Sequence, residues 1–188
     1  MRETEITVQV FNSLEEKDDI LVSQGFEKTR NFQLNDWYFT RLDDIQNINF
    51  VDLINNSFLV RQLISNTEKL QLCYKQKQVD EFNNVIAEEK FVSQIDALDE
   101  TLKIFNYCGL NNYCTIKNHS YVYKKGITEF ALQVVENLGT FIEFEEDESM
   151  LPMNEQQKIN HMFSILKSLN LKLGDDYSCK KVMMMLNK

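Results

Sequence analysis

Polar and apolar residues alternate along ETEITVQV (Glu3–Val10), the period-two signature of a strand with one buried face. Glu3, Glu5 and Thr7 share one side of it, and Thr4, Ile6 and Val8 share the other. The period then lengthens: LEEKDDILVSQ reads as a helix that Asn12 or Ser13 can cap and that Gly25 ends. The same succession recurs in EEKFVSQI, then Asp96, the helical segment DALDETLKIFNYC and Gly109. A single offset of 84 places Glu5 on Glu89, Val8 on Val92, Leu14 on Leu98, Ile20 on Ile104, Gly25 on Gly109 and Phe26 on Leu110, with no gap. Further strands are NDWYFT, SFLVRQLI and KLQLCYKQ in the first half, and CTIKNHSYVYK, ITEFALQVV and TFIEFEE in the second. Helices from about Glu155 to Leu169 and Tyr177 to Leu186 close the chain.

This pattern predicts an α+β fold in one domain spanning 1–188, with an internal repeat of halves at about 1–84 and 85–150 and C-terminal helices over 154–188. Duplicated, mostly antiparallel strands suggest pseudo-symmetric sheets curving into a barrel or tunnel flanked by helices.

Composition narrows the class. With 188 residues, 43% of them hydrophobic, the chain can bury a substantial core, and a single proline among five glycines leaves no linker to divide it. No run of eighteen apolar residues occurs, and MRETEITVQV lacks the basic-then-apolar order of a leader; the expectation is a cytoplasmic chain without a membrane span. The four cysteines contain no CxxC pair and there are two histidines, so a structural zinc site is not expected and the thiols read as reduced and packed. A net charge of −9 without a Lys/Arg cluster argues against nucleic acid as a partner.

The carboxylates are the candidate chemistry. Glu3 and Glu5 share a face of the first strand, and Glu143 and Glu145 share a face of TFIEFEE, opposite Ile142 and Phe144. On the outside of a sheet such faces are ordinary solvation; turned inward they offer the oxygen ligands that Mg²⁺ or Mn²⁺ prefers. Cations are fewer. Arg61 lies on SFLVRQLI, while Lys69, Lys75 and Lys77 share a face of KLQLCYKQK; they suit a phosphate chain, with edge-strand protection as the plainer role of the lysines. His119 lacks a second ligand at useful spacing, Cys108 and Cys114 read as packing residues, and Met183–Met185 as helix packing. No GxxxxGK phosphate loop is present.

Several phrases are similar to those of a known family. Glu3-Thr-Glu5-Ile-Thr7 resembles an ExExK signature, and VENLGTFIEFEE resembles an LGxFxEIE strand. DWYFT, FLVRQ and LQLCYK resemble, in order, a YF strand, an LRxR strand and an LTxK strand, and the segment around Tyr177 resembles the SYxxLL helix start. This order is that of the CYTH family of triphosphate tunnel proteins, which includes class IV adenylate cyclases and thiamine triphosphatases. The resemblance implies a closed, antiparallel eight-stranded β tunnel that binds a nucleotide or other triphosphate with divalent metal, Mg²⁺ or Mn²⁺. It matches Glu3, Glu5, Glu143 and Glu145 to metal-binding positions, Arg61 and Lys75 to triphosphate-binding positions, and Glu89 to a further acidic one. Thr7 stands where the ExExK lysine belongs, Leu59 where the first LRxR arginine belongs, Ser120 or His119 at a later arginine, and Gln133 at a metal-holding aspartate. Lys69, Lys77, Lys117 and Lys124 are the candidates to replace the missing cations. Cyclisation of ATP, triphosphate hydrolysis and a catalytically inactive binding module or scaffold all remain open, with no nucleophile or base assigned. A homodimer paired through sheet faces is compatible with such a tunnel.

Overall fold

The computed structural model describes residues 4–79 and 85–187, with the side chains of 78–79 and 85–88 excepted. Glu3 lies outside the described residues. Eight strands form an antiparallel sheet: β1 (Glu5–Val10), β2 (Glu27–Thr40), β3 (Ser57–Ile64), β4 (Glu68–Val79), β5 (Val85–Ile95), β6 (Asn111–Lys125), β7 (Thr128–Val135) and β8 (Gly139–Glu145). The helices are α1 (Leu14–Ser23), α2 (Phe50–Asn55), α3 (Leu98–Tyr107), α4 (Glu155–Ser168) and α5 (Lys181–Leu186). The fold is therefore α+β, and none of the described helices is long and apolar enough to cross a membrane.

Two of the helices keep the 84-residue offset. Adding the offset to Leu14–Ser23 gives Leu98–Tyr107, the bounds of α3, and Gly25 and Gly109 both end their helices at positive φ, 84° and 73°. The caps differ. Ser13 accepts from the Glu16 amide while Glu16 accepts from the Ser13 amide, a closed capping box. Ala97 stands at the N-cap of α3 and makes no side-chain bond.

The strands run in the order β1-β8-β7-β6-β2-β3-β4-β5. Among the described residues this order has two ends, so the eight-stranded antiparallel sheet is not closed there and the expected closed tunnel is not confirmed. The physical reason at the β1 end is that its outer hydrogen bonds are already taken by the C-terminal segment. The Thr7 amide donates to the Tyr177 carbonyl at 3.0 Å, Cys179 to Thr7 at 3.1 Å, Gly174 to Gln9 at 2.9 Å and Phe11 to Lys172 at 2.9 Å. An edge strand covered in this way has less of its ladder left to offer.

The chain packs as two compact units, one from Gln33–Lys117 with 182–187, the other from 4–32 with Asn118–Lys181. In the first, Leu98, Leu102 and Phe105 of α3 pack with Trp37, Phe39, Val60 and Leu72, and the Phe105 ring meets Phe39 edge-on at 5.1 Å. In the second, Ile6, Val8, Phe130, Leu132, Ile142 and Phe144 pack under Leu21 of α1 and Met162 and Leu166 of α4. Burying each such side chain contributes about 1.5–3 kcal/mol. These even-numbered positions of β1 and β8 fill the core, which leaves the odd-numbered acids on the other face, as the alternation predicts.

Candidate functional site

In the second unit, β1 and β8 pair antiparallel with Glu5 opposite Glu145 and Thr7 opposite Glu143. The register therefore gathers acids from residues far apart in sequence. One carboxylate oxygen each from Glu5, Glu143 and Glu145 lie within 4.8 Å of one another. Three oxygen donors at this separation repel when ionised and suit a hard divalent cation such as Mg²⁺ or Mn²⁺. The donor set fits the metal that the resemblance implies. Of the four predicted acids, three converge and the fourth, Glu3, lies outside the described residues.

A cation already reaches this cluster. Lys181, the first residue of α5, donates from Nζ to Glu143 Oε2 at 2.6 Å and to Gln133 Oε1. Both partners of the ion pair are mostly buried, Lys181 at 18% side-chain exposure and Glu143 at 26%, so the contact is shielded more than a surface pair. Gln133 is buried on β7, two residues along from Ala131, which pairs with Glu143. As an amide it accepts from the lysine without adding negative charge. Sequence reading missed Lys181: 38 positions separate it from Glu143, and no local spacing announces the pair.

Beside the cluster, on the opposite side of the strand end, Glu146 Oε2 accepts from Lys158 Nζ at 2.8 Å and from the Thr4 amide at 2.9 Å. Burial opposes ionisation of Glu146, but these bonds outweigh it and hold its carboxyl below the ordinary value. Ser120 is fully buried and donates to Asn118 Oδ1 at 2.8 Å, so it supplies no cation at its position. His119 stacks on Tyr121 at 4.5 Å.

The predicted cations lie in the first unit. Arg61 on β3 stands opposite Asp36 on β2 and clasps it in a fork, Nε to Oδ1 at 2.8 Å and Nη2 to Oδ2 at 2.6 Å. Burial works against the guanidinium charge, but the Asp36 bonds and charge more than offset it and raise its pKa. Leu59 is buried, in register with Tyr38 and Cys73, which makes that row apolar where the resemblance expects an arginine. Lys75 is half-buried on β4 and directly opposite Lys90 of β5. Glu89 pairs with Gln76, one place out of step, so its strand face is the one that carries Phe91 rather than that of Lys75. Lys69 and Lys117 are exposed, Lys77 lies over the Phe50 ring at 5.8 Å, and Lys124 lies 4.0 Å from Glu129 in the second unit. Among the described residues, the cation shown meeting the acidic cluster is Lys181.

Nearby groups in the first unit are held neutral. Burial pushes the Tyr113 phenol up to about 12, although Ser57 donates or accepts with it at 3.0 Å, and pushes the Cys114 thiol up to about 11. Free, buried Cys73 and Cys114 are thus poor nucleophiles; Cys114 packs as expected, whereas Cys108 is exposed and its reading as a packing residue is corrected.

Comparison with known proteins places this geometry in context. No family model matches the chain. A curated protein of Methanocaldococcus jannaschii named "putative adenylate cyclase" is 30% identical over 99 residues, covering 52% of this chain and 54% of that protein. The match thus spans about half the length of that relative. The PH1819 protein from Pyrococcus horikoshii OT3 superposes with a TM-score of 0.68 at 18% identity, over 99% of both chains. A structure from Vibrio parahaemolyticus titled "putative adenylate cyclase" superposes with a TM-score of 0.63 at 16% identity, over 100% of this chain and 99% of that one. The chain shares its fold with these solved proteins along nearly its whole length, and shares sequence with the Methanocaldococcus protein over about half.

Proposed function

We propose that the chain is a CYTH-like protein that binds a nucleotide or other triphosphate together with Mg²⁺ or Mn²⁺, and that it carries a family-type activity, cyclisation of ATP or hydrolysis of a triphosphate. The observation that carries this reading is the convergence of Glu5, Glu143 and Glu145 within 4.8 Å. A metal on these oxygens would neutralise the phosphates and the charge that develops during in-line displacement. The resemblance adds Arg61 and Lys75, which lie in the first unit, as proposed phosphate-binding residues. The Asp36 fork engages two of the five guanidinium donors, which leaves others for a ligand.

A second reading, a binding module without catalysis, is favoured by a specific observation. Leu59 is sealed into an apolar row and Thr7 carries no charge, so two cations of the resembled site are absent from their strands. Titration calorimetry with ATP and with tripolyphosphate, in Mn²⁺ and then in EDTA, followed by product analysis, separates the readings. Metal-dependent binding with cyclic nucleotide or released phosphate supports the enzyme; metal-dependent binding with no product supports the module. Absence of binding at millimolar ligand would reject both.

A further inference from the structure

We infer that Lys181 has taken over the phosphate-binding role of a strand lysine at position 7, so that the site draws its ammonium from the C-terminal helix. This inference rests on the triphosphate reading above and names one of its contacts. Three observations within one compact unit carry it. Thr7 is the direct cross-strand partner of Glu143, and Glu143 is the residue that Lys181 grips. Thr7 is also where the C-terminal segment joins β1: its amide donates to the Tyr177 carbonyl, its carbonyl accepts from Cys179, and it bridges to Ser178. Lys181 follows two residues after Cys179, so the backbone bonds at Thr7 deliver its side chain to the row of Thr7 and Glu143. The ammonium has three donors; Glu143 and Gln133 take two, and one remains to meet a phosphate oxygen.

The placement also explains Gln133. An aspartate there would add a second carboxylate to the lysine and hold it as a closed internal pair. The neutral amide orients the ammonium while leaving its charge only partly compensated.

The test is a rescue. Wild type, Lys181→Met, Lys181→Gln and the double variant Thr7→Lys with Lys181→Met are titrated with tripolyphosphate in Mn²⁺, and separately with Mn²⁺ alone, after circular dichroism has checked the fold. Loss of one charge-assisted contact predicts tripolyphosphate binding at least tenfold weaker in both single variants. The double variant returns to within about threefold of wild type, because a lysine at position 7 lies directly across from Glu143. Mn²⁺ alone binds the single variants as tightly as wild type or tighter, since an ammonium no longer competes for Glu143. Lys181→Gln can still donate to Glu143, which guards against a folding defect in Lys181→Met. Unchanged tripolyphosphate affinity in the single variants, failure of the folded double variant to recover, or parallel weakening of Mn²⁺ and tripolyphosphate would each overturn the inference while the triphosphate reading stands. Absence of tripolyphosphate binding in wild type would remove both.

Discussion

At the scale of single residues, the buried charges show which contacts hold structure and which are available for chemistry. The Arg61–Asp36 fork is a buried pair, with Asp36 at 7% and Arg61 at 22% side-chain exposure. Breaking such a pair strands the partner, so Asp36→Asn is expected to lower unfolding free energy by about 3 kcal/mol, read as an earlier urea midpoint. Glu146 gives a pH signature. Its folded carboxyl is held below the ordinary value of 4.5 by Lys158 and Thr4 despite burial. A depressed carboxyl contributes stability that is present above the unfolded value and is lost as pH falls through the folded one. The urea midpoint should therefore drop between about pH 5 and about pH 3, and Glu146→Gln should flatten that acid limb while lowering the midpoint at neutral pH. An unchanged acid limb in the variant would count against this pair as its source.

At the scale of elements, two helices of equal length offer a comparison. α1 and α3 start 84 residues apart in sequence, yet Ser13 closes a capping box with Glu16 and Ala97, at the matching offset, makes no side-chain cap. Glu100 stands three residues after Ala97, so Ala97→Ser would complete the same box. The expected gain is about 1 kcal/mol, matched by a loss of about 1 kcal/mol for Ser13→Ala, both read by thermal or urea denaturation. These helices were legible because capping and glycine stops are local signals: Leu14–Ser23 and Leu98–Tyr107 lie where the repeated pattern puts them. The first half of β2, over EKTRNFQL, was not, because its charged residues break the alternation. α2 was missed as well, being one short turn-and-a-half after a polar loop. Closure of the sheet was not legible for a different reason. Whether an edge stays open depends on what covers it, and the cover on β1 comes from Lys172–Cys179, more than 150 residues away.

At the scale of the whole molecule, the carboxylate pairs could be read from strand period alone, since a two-residue repeat fixes the face, but their convergence required the β1–β8 register. Lys181 could not be read at all, because its position depends on the long return of the C-terminal segment to Thr7. That difference sets the final prediction. The chain carries a net charge of −9, and the acids at the site add to this self-repulsion in the folded state. A divalent ion bound only by the folded protein stabilises it by mass action, by about 2.7 kcal/mol at a hundredfold excess over Kd. For a chain of this size that corresponds to a rise in Tm on the order of 5–10 °C. Mn²⁺ should therefore raise Tm in wild type, and Glu143→Gln or Glu145→Gln should remove most of the rise without abolishing folding, since both side chains stand on the face away from the apolar core. Calcium or magnesium at the same concentration tests whether the effect belongs to oxygen ligation in general, and added NaCl should shrink it because Glu5 and Glu145 are exposed to screening. A rise of equal size in the glutamine variants would place the ion elsewhere on the acidic surface and would leave the converged carboxylates as a solvated strand face.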